Sequence, residues 1–246
     1  MLSGVFLASA KAATPNIFSD NFSENNMRLW TNTISLGGAI GTSSAIVEAG
    51  STYSCAVSIT SANEGSAAYA YENWGSSYSM VYYSFNVYFS SLPSNAEWMN
   101  VGAIGNSLST SQASVFILNL PVYDGGAGWV WILAVAGGKS DAFSTQTVSA
   151  GVWYNVLLEL DYTTGTANLI VNGVNVGTVS GQGQIEGLLG SAVTLGETYS
   201  ASGANGAVNY YENVVVSNTA PSASPSPPPT PAAPAPPAPP VPAPAS

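Results

Sequence analysis

Apolar and polar side chains alternate along most of this chain, and this pattern restricts the fold more than any other feature. Residues 80–90 show it clearly. One face of this segment carries Val81, Tyr83, Phe85, Val87 and Phe89. The other face carries Tyr82, Ser84, Asn86, Tyr88 and Ser90. Because successive side chains of a strand point to opposite sides, the alternation predicts β-strands that bury one face.

Further alternating runs follow, separated by turn signals. They cover residues 114–122, 128–136, 152–162, 167–171, 174–179 and 208–217. Asn172 and Gly173 lie between two of these runs, and this dipeptide favours a two-residue hairpin because both positions need a positive φ. Short strands without helices between them predict an all-β fold, an antiparallel two-sheet jelly-roll sandwich.

Both ends of the chain differ in composition from the middle. Residues 1–12 contain a short apolar stretch that ends in Ala-Lys-Ala, which resembles a secretory signal segment and predicts export. Residues 220–246 are almost entirely Pro, Ala and Ser and hold 13 of the 16 prolines. We expect this tail to form an extended polyproline II rod after a sandwich domain of residues 13–219. The sequence has no run of about 20 apolar residues, so no membrane-spanning helix is predicted.

The charge balance excludes some classes of partner. The chain has 13 acidic and 3 basic residues and no histidine, which gives a formal net charge of −10. Such a surface cannot neutralise a phosphate backbone, so nucleic acid is excluded, and anionic membranes are disfavoured. Neutral glycans, calcium and sister subunits stay open as partners. Cys55 is the single cysteine, and we expect a buried thiol, with a disulfide-linked dimer as the alternative.

Three segments resemble a known protein family. They are residues 17–23 (IFSDNFS) followed by Trp30, residues 151–156 (GVWYNV) leading to 167–174 (ANLIVNGV), and residues 208–217 (VNYYENVVVS). Together they resemble the concanavalin A-like lectin/glucanase superfamily, in its laminin-G-like and polysaccharide-lyase-like branch. The resemblance implies two curved, stacked antiparallel sheets, often with a glycan site on the concave sheet and a structural calcium. Many members bind no sugar, so the site has to be argued from its own residues.

Glu159 and Asp161 lie two residues apart, and therefore on one face of a predicted strand. They resemble the first two acids of the Glu-x-Asp-x-x-Glu array of retaining glycosidases with this fold, but Thr164 occupies the third position. Lyases of related sandwiches need a cation to neutralise a uronate, and this chain has few cations. From these residues we expect no enzymatic activity.

Sugar binding requires flat aromatic faces together with amides and carboxylates for the hydroxyl groups. The residues that supply this combination are Tyr82, Asn86, Tyr88, Trp129, Trp131, Glu159 and Asp161. We predict that these residues bind carbohydrate. The alternative is that one of the faces that carry them belongs to the core or is covered by a loop.

Asp20 and Glu212 lie in the first and the last predicted strands. Glu212 shares its predicted face with Val214 and Val216, so its carboxylate is predicted to point inward. A buried carboxylate needs a partner. The two acids are therefore predicted either to help bind a structural calcium or to accept hydrogen bonds from backbone amides.

Two functions follow from these features. The first is an exported, non-catalytic carbohydrate-binding module on a Pro-rich stalk, located outside the cell or at the cell surface. The alternative is a structural subunit of an extracellular filament, surface layer or virion. In that case the Pro-rich tail would pack along a sister subunit.

Overall fold

The computed structural model describes residues 16–107, 110–126, 128–135 and 140–221. Within them the strands are β1 Phe18–Asp20, β2 Asn32–Leu36, β3 Gly38–Ser43, β4 Ser54–Ile59, β5 Ala67–Tyr78, β6 Met80–Ser91, β7 Trp98–Ser107, β8 Thr110–Asn119, β9 Trp129–Val135, β10 Ser140–Val148, β11 Trp153–Asp161, β12 Thr166–Val171, β13 Val174–Val179, β14 Gly190–Glu197 and β15 Val208–Ser217. A short helix, α1, spans Leu120–Tyr123.

The strands form two sheets. Sheet A has the order β13-β12-β11-β6-β15-β4-β3, with β1 also paired to β15. Sheet B has the order β10-β9-β8-β7-β14-β5-β2. The ladders between these strands are antiparallel. The prediction of an all-β, antiparallel, two-sheet jelly-roll sandwich is confirmed.

The hydrophobic core lies between the two sheets. The inward residues of β6 are fully buried, as predicted, and they are Val81, Tyr83, Phe85, Val87 and Phe89. Sheet B contributes Ile104, Val115, Leu133, Val193 and Leu195 to the same core. The Cys55 thiol is also fully buried. The predicted buried, unpaired cysteine is therefore what the structure shows.

Trp129 and Trp131 belong to this core, so the prediction that they form a sugar-binding platform is wrong. Trp131 is fully buried, with its ring centroid 5.9 Å from that of Phe89 and 5.4 Å from that of Tyr154. Strand β9 is buried along its whole length on both faces. A strand buried on both faces has no apolar–polar alternation, so its sequence does not reveal which side points inward.

Turn chemistry sets the ends of several strands. Asn172 and Gly173 have φ values of 51° and 77° and join β12 to β13, which confirms the predicted hairpin. The run predicted for residues 114–122 ends at Asn119 instead. Pro121 lies in the first turn of α1, a position that tolerates a residue without an N–H group and with a fixed φ. The proline therefore ends the strand earlier than the alternation predicts.

The predicted signal segment and nearly all of the predicted polyproline tail lie outside the described residues. Both terminal assignments, and the domain limits drawn from them, stay predictions. In the part of the chain that the structure describes, no helix has the length and apolar character needed to cross a membrane.

Candidate functional site

The outer face of sheet A, which is turned away from the core, carries most of the predicted sugar-binding residues. Tyr82, Asn86 and Tyr88 lie on β6 and are half-buried. On the neighbouring strand β11, Glu159 lies opposite Tyr82 and Asn155 lies opposite Asn86. The structure therefore brings these side chains together on one surface, as the alternation predicted.

The polar groups of this surface are bonded to one another. Asn86 Nδ2 donates to Glu48 Oε2 at 2.5 Å, and Asn155 Nδ2 donates to Asn86 Oδ1 at 2.8 Å. Asn168 Nδ2 donates to Glu159 Oε2 at 3.2 Å. A network of this kind satisfies its own donors and acceptors and stabilises the fold. It leaves fewer free groups for a ligand than the sequence suggested.

Asp161 stabilises the turn that follows its own strand. Its carboxylate accepts hydrogen bonds from the Thr163 backbone N–H at 2.8 Å and from the Thr164 hydroxyl at 2.9 Å. Burial by itself would raise the pKa of Asp161, but the bonds from Thr164 and Thr163 outweigh it and lower the pKa below its ordinary value. Sugar binding by Asp161 stays a prediction.

Aromatic rings pack together at one end of the outer face of sheet A. The Tyr88 ring centroid lies 5.4 Å from that of Trp153 and 6.4 Å from that of Tyr210. All three side chains are half-buried. Each ring therefore uses part of its surface in packing and shows part of it to solvent.

Asp20 is buried and accepts two hydrogen bonds. The Phe22 backbone N–H donates to its Oδ1 at 2.7 Å, and the Trp30 indole N–H donates to its Oδ2 at 2.9 Å. Burial raises the pKa of Asp20 in spite of these bonds. Asp20 also lines a surface pocket of about 260 Å³, together with Glu24 and Asn213. Its bonding matches the predicted role as an acceptor for backbone amides.

Glu212 does not point inward, and that prediction is wrong. The β15 ladder is irregular between Glu212 and Val215, where Asn213 has a φ of 52°, so the strand alternation is reset. Glu212 lies opposite Asn86 on the outer face, and its Oε1 accepts the Glu48 backbone N–H at 2.6 Å. The carboxylate is nevertheless fully buried, and burial raises its pKa.

The calcium prediction is not supported by a ligand cluster. The described residues contain no group of three or more Asp, Glu, His or Cys side chains that could hold a metal ion. Asp20 and Glu212 each bond to a backbone amide of their own surroundings. Calcium binding by these two acids stays a prediction.

The outer face of sheet B has a different character. One row of residues is in register across all seven strands, and we call it the central row: Asn32, Tyr71, Thr194, Ala103, Ser114, Ala134 and Asp141. These side chains point away from the core, because the residues beside them in sequence, such as Val193, Ile104 and Leu133, belong to the core.

The middle of the central row is small and shielded from solvent. Thr194, Ala103 and Ser114 are only 5%, 1% and 6% exposed, although they lie on the outer side of a two-layer sandwich. Larger rings lie in the next row, where Tyr69 and Phe116 are half-buried. We call these small side chains, together with the larger rings beside them, the sheet B trough.

Two buried polar atoms on this face have no hydrogen-bond partner among the residues that the structure describes. They are Asn100 Oδ1 and Thr194 Oγ1. Asn100 is 4% exposed and lies opposite Phe116, in the row beside the central row. Buried polar groups in folded proteins are nearly always paired, so these two atoms are the ones on this face whose hydrogen bonding the described residues do not complete.

Asn100 is held from below by a buried acid. Its backbone N–H donates to Glu197 Oε1 at 3.0 Å, and Glu197 is fully buried. Burial raises the pKa of Glu197 well above its ordinary value, and the single bond from Asn100 does not reverse this. The buried Glu197 side chain therefore holds the backbone that carries the Asn100 side chain.

Sequence reasoning missed the sheet B trough because its strands are buried on both faces. The sequences of β9 and β14 are almost wholly apolar or small, which is typical of core strands. The available signal was weak. Asn100, Ser114 and Thr194 are polar residues inside otherwise apolar runs, and the antiparallel register brings them together.

Solved structures share this architecture. The endo-β-1,4-glucuronan lyase of the fungus Trichoderma reesei aligns with 83% of this chain and 96% of its own, at 15% identity and a TM-score of 0.62. The cellulose induced protein Cip1 aligns over 82% and 97%, at 13% identity and a TM-score of 0.59. The chain has a concanavalin A-like fold. A botulinum neurotoxin serotype D ligand binding domain, solved with N-acetylneuraminic acid, has the same concanavalin A-like sandwich over 84% of this chain and 48% of its own, at 14% identity and a TM-score of 0.53.

Sequence comparison adds no family assignment to the concanavalin A-like fold. No protein-family model matches this sequence, and no curated protein matches it.

The expectation of no enzymatic activity is contradicted by the first structural comparison. A glucuronan lyase has this concanavalin A-like fold over 96% of its chain, so the architecture is one that carries catalysis. The expectation relied on the acids Glu159 and Asp161 of sheet A and on the scarcity of cations. It left the sheet B trough out of consideration, because the sequence did not reveal that trough.

Proposed function

We propose that this protein binds an extended carbohydrate chain along the sheet B trough. The observation that carries the proposal is the pair of buried, unpartnered atoms, Asn100 Oδ1 and Thr194 Oγ1, beside the rings of Tyr69 and Phe116. Sugars present apolar C–H faces and hydroxyl groups, so they suit a surface that combines aromatic rings with unpaired polar atoms. The structural neighbours that act on or bind sugars support the same class of ligand.

The shape of the central row favours a polymer over a single sugar. The row crosses the sheet from β2 to β10, which is roughly 29 Å at about 4.8 Å per strand spacing. Its end residues, Asn32 and Asp141, are both exposed. A row that is open at both edges of the sheet accommodates the interior of a chain as readily as its end.

The charges favour a neutral polymer. Arg28 is the single basic side chain among the described residues. Its guanidinium forms an ion pair with the Glu24 carboxylate at 4.0 Å. A polyanion in the trough would instead meet the carboxylate of Asp141 at one end of the row. Binding of an anionic chain would therefore lack charge compensation from the described residues.

Affinity electrophoresis and calorimetry on the full chain test the proposal. The probes are soluble β-glucan, mannan, xylan and galactan, with polyglucuronate as the anionic counterpart. We expect binding of at least one neutral polymer. Thr194→Val and Asn100→Ala should each weaken that binding by about tenfold, because each removes a polar group that bonds the ligand. New chain ends are measured in the same mixtures, because turnover would make the protein an enzyme at this site.

Matched variants on sheet A decide between the two faces. Tyr88→Ala and Asn168→Ala change an aromatic ring and an amide on the outer face of sheet A, away from the trough. We expect them to leave binding unchanged. If they abolish binding while the sheet B variants do not, the site is the one predicted from Tyr82, Asn86 and Tyr88. Failure of every polymer to bind would refute the proposal.

We also propose that the protein acts outside the cell, where such polymers occur. The alternative role as a structural subunit stays a prediction. Light scattering of the full chain checks it, because a monomer at working concentration contradicts an assembly role.

A further inference from the structure

Two aromatic side chains at one edge of sheet B are unusually exposed. Tyr123, in α1, and Phe143, on the edge strand β10, are 52% and 53% exposed. Their ring centroids lie 6.3 Å apart, and the ring planes are inclined by only 30°. Two stacked rings that share one exposed edge form a larger apolar surface than a single ring does. We call these two residues the aromatic pair.

The aromatic pair is in register with the trough. Phe143 lies opposite Ile132, Ile132 opposite Phe116, and Phe116 opposite Asn100. Three strand spacings of about 4.8 Å separate Asn100 from Phe143, which is about 14 Å. The pair therefore lies on the same outer face as Asn100 and along the direction of the central row.

The surface between Asn100 and the aromatic pair is apolar. Leu118, Val130 and Ile132 form a separate cluster there, with Trp98, Phe116 and Leu120 packed against it. Helix α1 fixes the Tyr123 end, because the Leu120 N–H donates to the Gly128 carbonyl at 3.0 Å and the Asp124 N–H donates to the Leu120 carbonyl at 3.0 Å. Backbone bonds thus hold the helix that carries Tyr123, and Leu120 of that helix packs against the apolar cluster.

We propose that the aromatic pair is a distal subsite that stacks one sugar ring of a neutral polysaccharide whose chain also contacts Asn100 and Thr194. This inference rests on the proposed function and specifies the ligand further. A pyranose unit in an extended chain is about as long as one strand spacing, about 5 Å. A ligand that reaches both Asn100 and the pair therefore contains at least about four units.

The carboxylates beside the aromatic pair favour an uncharged polysaccharide chain as the ligand. Asp124 follows Tyr123 directly, and Asp141 precedes Phe143 by two residues on the same face of β10. Two carboxylates next to the stacking surface repel a uronate and accept hydrogen bonds from sugar hydroxyls. The subsite therefore distinguishes neutral chains from polyuronates.

Calorimetry with a length series tests the subsite. The probes are neutral β-1,4-linked gluco- and manno-oligosaccharides of two to seven units, with glucuronan oligosaccharides of the same lengths. For the full chain we expect affinity to rise until the ligand has about five units, because Thr194 on β14 lies one strand spacing beyond Asn100, and then to level off. Phe143→Ala and Tyr123→Ala should weaken binding of the longer ligands by roughly fivefold to tenfold and leave the two- and three-unit ligands unaffected.

The controls separate failure of the subsite from failure of the proposed function. Tyr210→Ala removes a half-buried ring on the outer face of sheet A and should change no affinity. The subsite is refuted if Asn100→Ala weakens binding but Phe143→Ala and Tyr123→Ala do not. It is also refuted if Phe143→Ala and Tyr123→Ala weaken binding of all ligand lengths equally. In both cases the proposal of carbohydrate binding at the sheet B trough is retained. If the unmodified protein binds neither oligosaccharides nor polysaccharides, the proposed function fails, and the subsite with it. Both rings are more than half exposed, so melting curves of the variants should match the parent protein.

Discussion

The polar side chains on the outer faces of the two sheets differ in their hydrogen bonding. On sheet A, Asn86, Asn155 and Asn168 bond to neighbouring side chains, and the strands alternate between buried and half-buried positions. On sheet B, the middle strands are buried on both faces, yet Asn100 Oδ1 and Thr194 Oγ1 find no partner in the described part of the chain. The face that looks more like a sugar site in sequence bonds its amide groups to one another and leaves one buried side-chain oxygen of the described residues unpaired, Glu212 Oε2, against two on the face that looks like core.

This difference has a physical meaning. A satisfied network gains its energy within the fold, and removing one member leaves others unpaired. An unsatisfied buried group costs free energy within the fold, because it has lost its hydrogen bonds to water, and a ligand that supplies a partner recovers that cost. Sheet A variants should therefore affect stability, and sheet B trough variants should affect binding.

The largest expected effect tests where the tryptophans lie. Trp131→Ala should lower the free energy of unfolding by about 3–5 kcal/mol, because it empties a fully buried site between the sheets. Denaturant unfolding measures the loss. Trp153→Ala, at a half-buried position on the outer face of sheet A, is the matched control and should cost clearly less. Equal losses for the two variants would contradict the core assignment of Trp131.

The next effect is the pH dependence of stability. Burial raises the pKa values of Glu197, Glu212 and Asp20 above their ordinary values. The folded protein therefore holds these protons more tightly than the unfolded chain does. The stabilisation is complete below the unfolded pKa values, 4.5 for glutamate and 3.8 for aspartate, and is lost as the pH rises through the folded ones.

We therefore expect a higher melting temperature near pH 5 than near pH 8, measured by circular dichroism. Glu197→Gln and Glu212→Gln separate the contributions of the acid beneath sheet B and the acid on sheet A. Glu197→Gln should flatten the dependence of the melting temperature on pH more than Glu212→Gln does, because burial raises the pKa of Glu197 well above its ordinary value. A melting temperature that climbs from pH 5 to pH 8 would show that paired carboxylates dominate instead.

A smaller effect concerns the sheet A network. Asn86→Ala should destabilise the protein by about 1–2 kcal/mol, because Asn155 loses its acceptor and Glu48 loses a donor. Chemical denaturation gives the value. Ser84→Ala, on the same face of β6, should cost less than about 0.5 kcal/mol. If neither substitution changes the free energy of unfolding, the hydrogen bonds that join Asn86 to Glu48 and Asn155 do not stabilise the fold.

The smallest effect gives the sharpest contrast between the sheets. Thr194→Val keeps the side-chain shape and removes a buried hydroxyl that has no partner among the described residues, so the protein should lose no stability and should gain up to about 1 kcal/mol. Thr178→Val removes a hydroxyl that donates to Asn168 Oδ1 at 2.8 Å and should cost about 1 kcal/mol. The two unfolding curves are measured side by side. A larger loss for the Thr194 variant would mean that its hydroxyl is bonded within the fold.

Much of the fold was predictable because its signals are local. The inward row of β6, the inward row of β11 that begins at Tyr154, and the hairpin at Asn172 and Gly173 all follow from the strand period and from turn chemistry. The candidate site was much less predictable. Of the predicted sugar-binding residues, Tyr82, Asn86, Tyr88 and Glu159 do share a face, but Trp129 and Trp131 lie in the core.

The sequence by itself determined the all-β class, the strand periods and the acidic surface without histidine, because each depends on residues that are close together in the chain or on composition alone. The tertiary structure decided which side of β9 is inward, where the irregularity near Asn213 turns Glu212 outward, and which seven residues meet in the central row. Period-2 alternation divides a strand into two faces but does not say which face meets the core when both are apolar. That choice depends on register between strands that are distant in sequence, and the sheet B trough is a product of that register.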